Sequence, residues 1–144
     1  MIVYRERVLP NVGVIALPIL LFPSVWAIML PLNAVFAFPA ALALTLVFAV
    51  FIFVSSPVIE ISNQTLSARG AKIPLRNLGV VEIIPKSNSF EELGPKLDAR
   101  AWLSVQASVK TMVKIEILDK QDPTPYWLLS TRKPEELKKA LGVN

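Results

Sequence analysis

The side chains able to do chemistry here are carboxylates, amines, guanidinia, hydroxyls and a few aromatics. The 144 residues include no cysteine and no histidine. Disulfides, thiolate nucleophiles, histidine-dependent triads and Cys/His zinc sites are therefore excluded. Paired carboxylates occur at Glu91/Glu92 and near Asp119/Asp122. General acid–base work needs two such groups in a cleft with separated pKa values. Both pairs fall in stretches that read as exposed loops, so solvated surface charge is the better reading. Asp119-Lys120-Gln121-Asp122 lacks the central glycine and distal glutamate of a calcium loop. No glycine-rich dinucleotide fingerprint, P-loop or nucleophile elbow occurs. No spacing favours a Ser–Lys pair. The expectation is a protein that is not an enzyme, with no cofactor and no metal site.

Two groups of residues are candidates for binding. The first lies in the run from Asp122 to Lys133. Pro123 and Pro125 fix the entry to a strand, where Tyr126 and Trp127 fall on opposite faces. An exposed aromatic beside Arg132 suits a protein or lipid contact; the alternative is a Trp buried in a small core. Arg132 and Lys133, at the start of a helix, suit an anionic ligand. The second group is Arg69, Lys72 and Arg76, which can meet anionic lipid heads at on the order of 1 kcal/mol each. Ordinary anchoring and solvated loops are the alternative for these cations. The pI is about 9.6. Residues 57–144 hold 13 Lys/Arg and 10 Asp/Glu, a net +3. With acids interspersed, this is a weak footprint for nucleic acid, and no nucleic-acid partner is expected.

The elements that must position these groups follow from the charge distribution. Only 18% of residues are charged and 53% are hydrophobic. No charged residue occurs between Arg7 and Glu60, a run of 52 positions. A helix needs about 20 apolar residues to cross a hydrocarbon core roughly 30 Å thick. The run therefore predicts two membrane helices, about 12–30 and 35–54, joined by Pro31-Leu32-Asn33-Ala34. A buried helical pair in a soluble core would keep a polar stripe, and a signal peptide would have a shorter apolar core. Pro18 and Pro23 should kink the first helix. Ser24 and Thr45, the mid-span polar residues, can each bond to their own helix backbone. The absence of ionisable groups inside the spans argues against an ion path. Ala37, Ala41, Thr45 and Ala49 form a small-residue row that lets another helix approach, from the same chain or another. Arg5 and Arg7 precede the first span; Arg69, Lys72 and Arg76 follow the second. By the positive-inside rule both termini are cytoplasmic, at the plasma (inner) membrane.

Residues 57–144 alternate with period two in several short segments, as half-buried strands do. Expected strands are Val58–Ser62, Leu66–Arg69, Val80–Ile84, a pair formed by Ala101–Ala107 and Val109–Leu118, and Tyr126–Ser130. Pro134 to Leu141 is helical, with proline at its start, acids before lysines and Gly142 as its stop. A short turn is expected at Ser89–Leu93, with Ser89 as cap and Glu92 three residues on. Lys86 to Arg100 is otherwise the least structured region. The chain thus divides into a 1–56 hairpin and a 57–144 domain.

Arg69-Gly70, Ile73-Pro74-Leu75 and Val80-Val81-Glu82 resemble the opening strands of bacterial pleckstrin-homology-like domains. That resemblance implies a seven-stranded antiparallel curved sheet or barrel closed by a C-terminal helix. Tyr4-Arg5-Glu6-Arg7-Val8, two spans, and the run from Asp122 through Trp127 and Lys133 to Leu137 together resemble a family of uncharacterised actinobacterial membrane proteins. This resemblance covers essentially the whole chain and implies a two-pass membrane protein, but no reaction. The combined expectation is a membrane α-helical hairpin plus a small α+β domain. That domain would be a binding or scaffolding module with membrane lipids and a protein partner or second copy as its contacts. The alternatives are a sensor of anionic lipid head groups and a membrane enzyme or transport accessory subunit.

Overall fold

The structure is a computed structural model that describes residues 2–142. Met1, and Val143 and Asn144 at the end of the expected 57–144 domain, lie outside them. The chain forms two compact units. Leu9–Ser56 is one; the residues up to Val8 join those from Pro57 onward as the other.

In the helical unit, α1 spans Val12–Met29 and α2 spans Ala34–Ser55. Both start at an asparagine. The Asn11 carboxamide oxygen accepts from the Val14 N–H at 3.0 Å. That of Asn33 accepts from the Val35 and Phe36 N–H groups at 3.1 and 3.3 Å. These bonds satisfy donors that a helix start leaves orphaned. Ala37 and Ala41 are fully buried against α1, and Phe22 meets Phe38 edge-to-face at 5.6 Å. The small-residue row thus faces the helix of the same chain. The Ser24 hydroxyl donates to the Leu20 carbonyl at 2.8 Å, one turn back. Thr45 departs from expectation. Its hydroxyl is enclosed on the Ala37/Ala41 face and has no hydrogen-bond partner. Most other side chains of the pair point outward, including Ile19, Leu20, Val47 and Phe51.

Among the described residues, the second unit has eight strands. Four form an antiparallel sheet: β1 (Ile2–Arg7), β2 (Val58–Ser62), β3 (Thr65–Ala68) and β4 (Ala71–Pro74), in that order. Its hairpins close with two-residue turns, Asn63-Gln64 and Arg69-Gly70, in which all four residues have positive φ. That is the twist a tight hairpin needs. The other sheet contains β5 (Leu78–Ile84), β6 (Trp102–Ser104), β7 (Met112–Ile117) and β8 (Tyr126–Ser130), in the order β5-β7-β8-β6. Ile59, Ile61, Leu66 and Ile73 from the first sheet share a core with Val81, Val113, Ile115, Trp127 and Leu129 from the second. The C-terminal helix α4 (Pro134–Leu141) adds Leu137 and Leu141 to that core and ends at Gly142 with φ of 66°.

Four expectations change. The division at residue 56 gives way, because β1 pairs with β2 from Arg7↔Val58 to Ile2↔Ser62. The helical pair is thus an insertion between two adjacent strands. There are two four-stranded sheets, not seven strands, and they close no barrel. The 101–107/109–118 pair does not form. Both edges of β7 are taken, by β5 and β8, so β6 lies on the far side of β8 and runs parallel to it. Finally, the 86–100 segment is folded over the second sheet. It contains a 3₁₀ turn at Lys86–Asn88 and α3 (Ser89–Leu93). Ser89 does not cap this helix; its hydroxyl donates to the Lys86 carbonyl at 2.8 Å.

Candidate functional site

β1 alternates Tyr4 and Glu6 inward with Arg5 and Arg7 outward, set by its register with Ile61, Glu60, Ile59 and Val58. An inward carboxylate needs donors. Glu6 receives three. The Tyr4 hydroxyl donates to its Oε2 at 2.6 Å, and the Thr131 hydroxyl donates to the same oxygen at 2.5 Å. The Arg132 backbone N–H donates to Oε1 at 2.9 Å. Thr131 is fully buried, and its oxygen in turn accepts the Lys133 N–H at 3.0 Å. Burial, then the hydrogen bond to Glu6, pushes the Tyr4 phenol above its ordinary value. Glu6 thereby ties the first strand to the entry of α4.

This node explains where two expected site residues go. Arg132 and Lys133 give their backbone N–H groups to Glu6 and Thr131, and their side chains are exposed. The Lys133 ammonium sits 2.9 Å from Glu136, which raises its pKa.

Tyr126 and Trp127 do lie on opposite faces of β8, as expected, but neither is exposed. Trp127 belongs to the main core and leans on Trp102, ring centroids 6.3 Å apart. Tyr126 is covered by the 86–100 segment. Its hydroxyl accepts from the Asp98 N–H at 2.9 Å, and the Lys114 ammonium lies 4.4 Å from the ring centroid. Lys114 also pairs with Glu92 of α3 at 3.0 Å, and both are largely withdrawn from solvent. At the segment's end, Arg100 bonds to Asp98 with its side chain and backbone N–H and lowers that carboxyl to about 2. Glu92 therefore works as a buried partner, not as surface charge. Glu91, by contrast, is exposed and paired with Lys96.

Beyond this strap, the outer face of the second sheet stays open. A hollow of about 340 Å³ is lined by Val80, Glu82, Lys114, Glu116, Pro125 and Tyr126. Val80 and Leu118 are 65% and 57% exposed. Glu116 accepts the Val80 N–H at 3.2 Å. The floor is thus part apolar and part charged. Among the described residues, no three acidic side chains gather as a metal site would require.

The basic trio is not one site. Arg69 lies in the β3–β4 turn, beside the start of β2. Lys72 sits on the outward face of β4, in a cross-strand row with Ser67, Glu60 and Arg5. Arg76 is at the other end of the sheet, where a hollow of about 470 Å³ also takes in Gln64, Leu75 and Leu141.

The contact-forming residues that composition and periodicity did not single out are Glu6, Tyr4, Thr131, Lys114 and Trp102, and Glu92 is read there as surface charge. Only the alternation Tyr4-Arg5-Glu6-Arg7 signalled a strand, and its inward positions are polar, so a hydrophobic pattern did not reveal it.

Fold and site define an α+β protein: two antiparallel-paired apolar helices inserted into a two-sheet unit with a terminal helix. No curated protein and no solved structure matches the chain. A family model matches residues 3–141, and the chain belongs to that family, DUF3093, described as a protein of unknown function.

Proposed function

We propose that this chain is a non-catalytic, membrane-anchored binding or scaffolding module. α1 and α2 cross the membrane as a hairpin, and the two-sheet unit works at its inner face. The observation that carries this reading is the insertion itself. β1 ends where β2 begins, so both ends of the helical pair return to one place, as the two ends of a membrane hairpin must. At 18 and 22 residues, the helices reach about 27 and 33 Å, against a core of roughly 30 Å. Their outward apolar side chains support the same reading, since a water-exposed pair would place polar groups there. The flanking arginines and lysines favour cytoplasmic termini. Two packed sheets with a terminal helix resemble a pleckstrin-homology-like architecture in outline, which is analogy only.

The recruiting surface in this reading is the open half of the second sheet, around Val80, Glu116, Leu118 and Pro125. Its partner is a protein or a second copy of the chain. The test is crosslinking and affinity purification from native membranes, with Val80→Glu and Leu118→Glu as controls. A partner retained by wild type and lost in both variants supports the scaffold. Absence of any reproducible partner removes it. Protease accessibility in sealed vesicles tests the orientation: cleavage of the two-sheet unit only from the inner side is expected.

A further inference from the structure

We propose that the end of the two-sheet unit from which the helical insertion departs is a membrane-contact surface for anionic lipid head groups. Trp102 is its interfacial anchor, and Arg69 and Lys72 are its charge contacts. The inference rests on the proposal that α1 and α2 span a membrane.

All four strands of the first sheet end or begin at this edge. Arg7 of β1 pairs with Val58 of β2, and Val8 donates its N–H to the Pro57 carbonyl at 2.8 Å. Ala68 of β3 pairs with Ile59, so Arg69, the next residue, lies at the same level. The 102–106 segment of the second sheet is tied to the same edge at two points. The Trp102 indole N–H donates to the Ala68 carbonyl at 3.3 Å, and the Gln106 carboxamide donates to the Val8 carbonyl at 3.5 Å. Trp102 is thus held beside Arg69 by its polar edge while 37% of it remains exposed. An indole with a fixed polar end and an exposed apolar body is the side chain enriched at bilayer interfaces.

Connectivity brings this edge to the head-group layer. From Ser55, the end of α2, to Val58, the start of β2, is three residue steps, at most about 11 Å of chain. One strand spacing, about 5 Å, then separates β2 from β3 and its turn. The outward charges of this part of the sheet are Arg5, Arg7, Arg69 and Lys72 against the single carboxylate of Glu60, net +3. Glu60 is engaged by Arg5 at 3.6 Å. Neither Arg69 nor Lys72 has an ion-pair partner among the described residues. Arg76 is excluded from the surface because it lies at the opposite end of the sheet.

The test uses the full chain reconstituted into vesicles of phosphatidylcholine alone or mixed with phosphatidylglycerol. The probe is quenching of tryptophan emission by lipids brominated close to the head group, read as wild type minus Trp102→Phe. Quenching assigned to Trp102 is expected in the mixed vesicles, weakened by high salt and in phosphatidylcholine alone. Arg69→Asn, which suits the left-handed backbone there, and Lys72→Gln are each expected to lower the docked-to-undocked ratio about fivefold. Arg76→Gln is expected to leave it unchanged. Equal quenching in both lipid mixtures, or equal effects of Arg69→Asn and Arg76→Gln, overturns the inference. Resistance of the same samples to alkaline carbonate separates the two proposals. A retained protein with unquenched Trp102 keeps the hairpin and discards the contact surface; an extracted protein discards both.

Discussion

At the scale of single residues, Glu6 ties the first strand of the two-sheet unit to the entry of its terminal helix. Its two oxygens take three donors from chain positions 4, 131 and 132. A glutamine offers one acceptor oxygen, and its amide would face an existing donor. Glu6→Gln is therefore expected to cost about 1–3 kcal/mol, read as a lower denaturation midpoint in detergent. Tyr4 gives the node a pH dependence. Below pH 10 its phenol is neutral whether the chain is folded or unfolded. Above about pH 10 the unfolded phenol ionises, while burial and Glu6 keep the folded one protonated. Rising pH then favours the unfolded chain, and stability falls. Tyr4→Phe lacks this proton and is expected to lose stability less steeply above pH 10. The Ser104 hydroxyl, fully buried and without a partner, has no such role in the fold.

At the scale of elements, the strap over the second sheet is held by one ion pair more than by its own helix. α3 has five residues, too few for intrinsic stability. Glu92 of α3 reaches Lys114, and Leu93 packs beside Ile84, Met112 and Leu128. Lys114→Met leaves the Glu92 carboxylate buried and unpaired, at a cost on the order of 3 kcal/mol. The expected result is faster amide hydrogen exchange across 89–101, with little change in β2 and β3. Uniform loss of protection throughout would show that the strap is part of the global folding unit. The same elements show what was legible from sequence. Both long helices were readable within a residue or so, because uninterrupted apolar runs and asparagine caps act locally. α4 was readable from proline, charge order and glycine. β6 was not: its pairing with β8 depends on β7 having no free edge, which is a fact about the sheet and not about residues 101–107. The Tyr126 cover was not readable either. A strand shows which side chains share a face, but not which distant loop lies over it. The basic trio reads as one cluster along the chain, yet a four-residue strand carries Arg76 to the other end of the sheet.

At the scale of the whole molecule, β1 and β2 are hydrogen-bonded neighbours separated by the 48 residues of Leu9–Ser56. A hairpin turn between such strands needs about two residues. Replacing 9–56 with Asn-Gly should therefore give a water-soluble chain whose turn is closed by the Val8 N–H to the Pro57 carbonyl, proline having no N–H to return the bond. A fragment beginning at Pro57 should behave differently. It loses Val8 from the core, where that residue is fully buried, and it strips one whole edge from β2. It also lacks the Glu6 acceptor for Thr131 and Arg132. Burial of a valine side chain contributes about 1.5 kcal/mol and hydrogen bonds to a carboxylate about 1.5–3 kcal/mol each. Their sum is of the same order as the 5–15 kcal/mol that holds a typical domain together. The joined chain is expected to unfold in a single cooperative transition, and the Pro57 fragment to aggregate or lack dispersed amide resonances. Equal stability of the two would make β1 dispensable. The helical pair would then be an N-terminal attachment to a complete domain, and the meeting of its two ends beside β1 and β2 would have no bearing on a membrane hairpin.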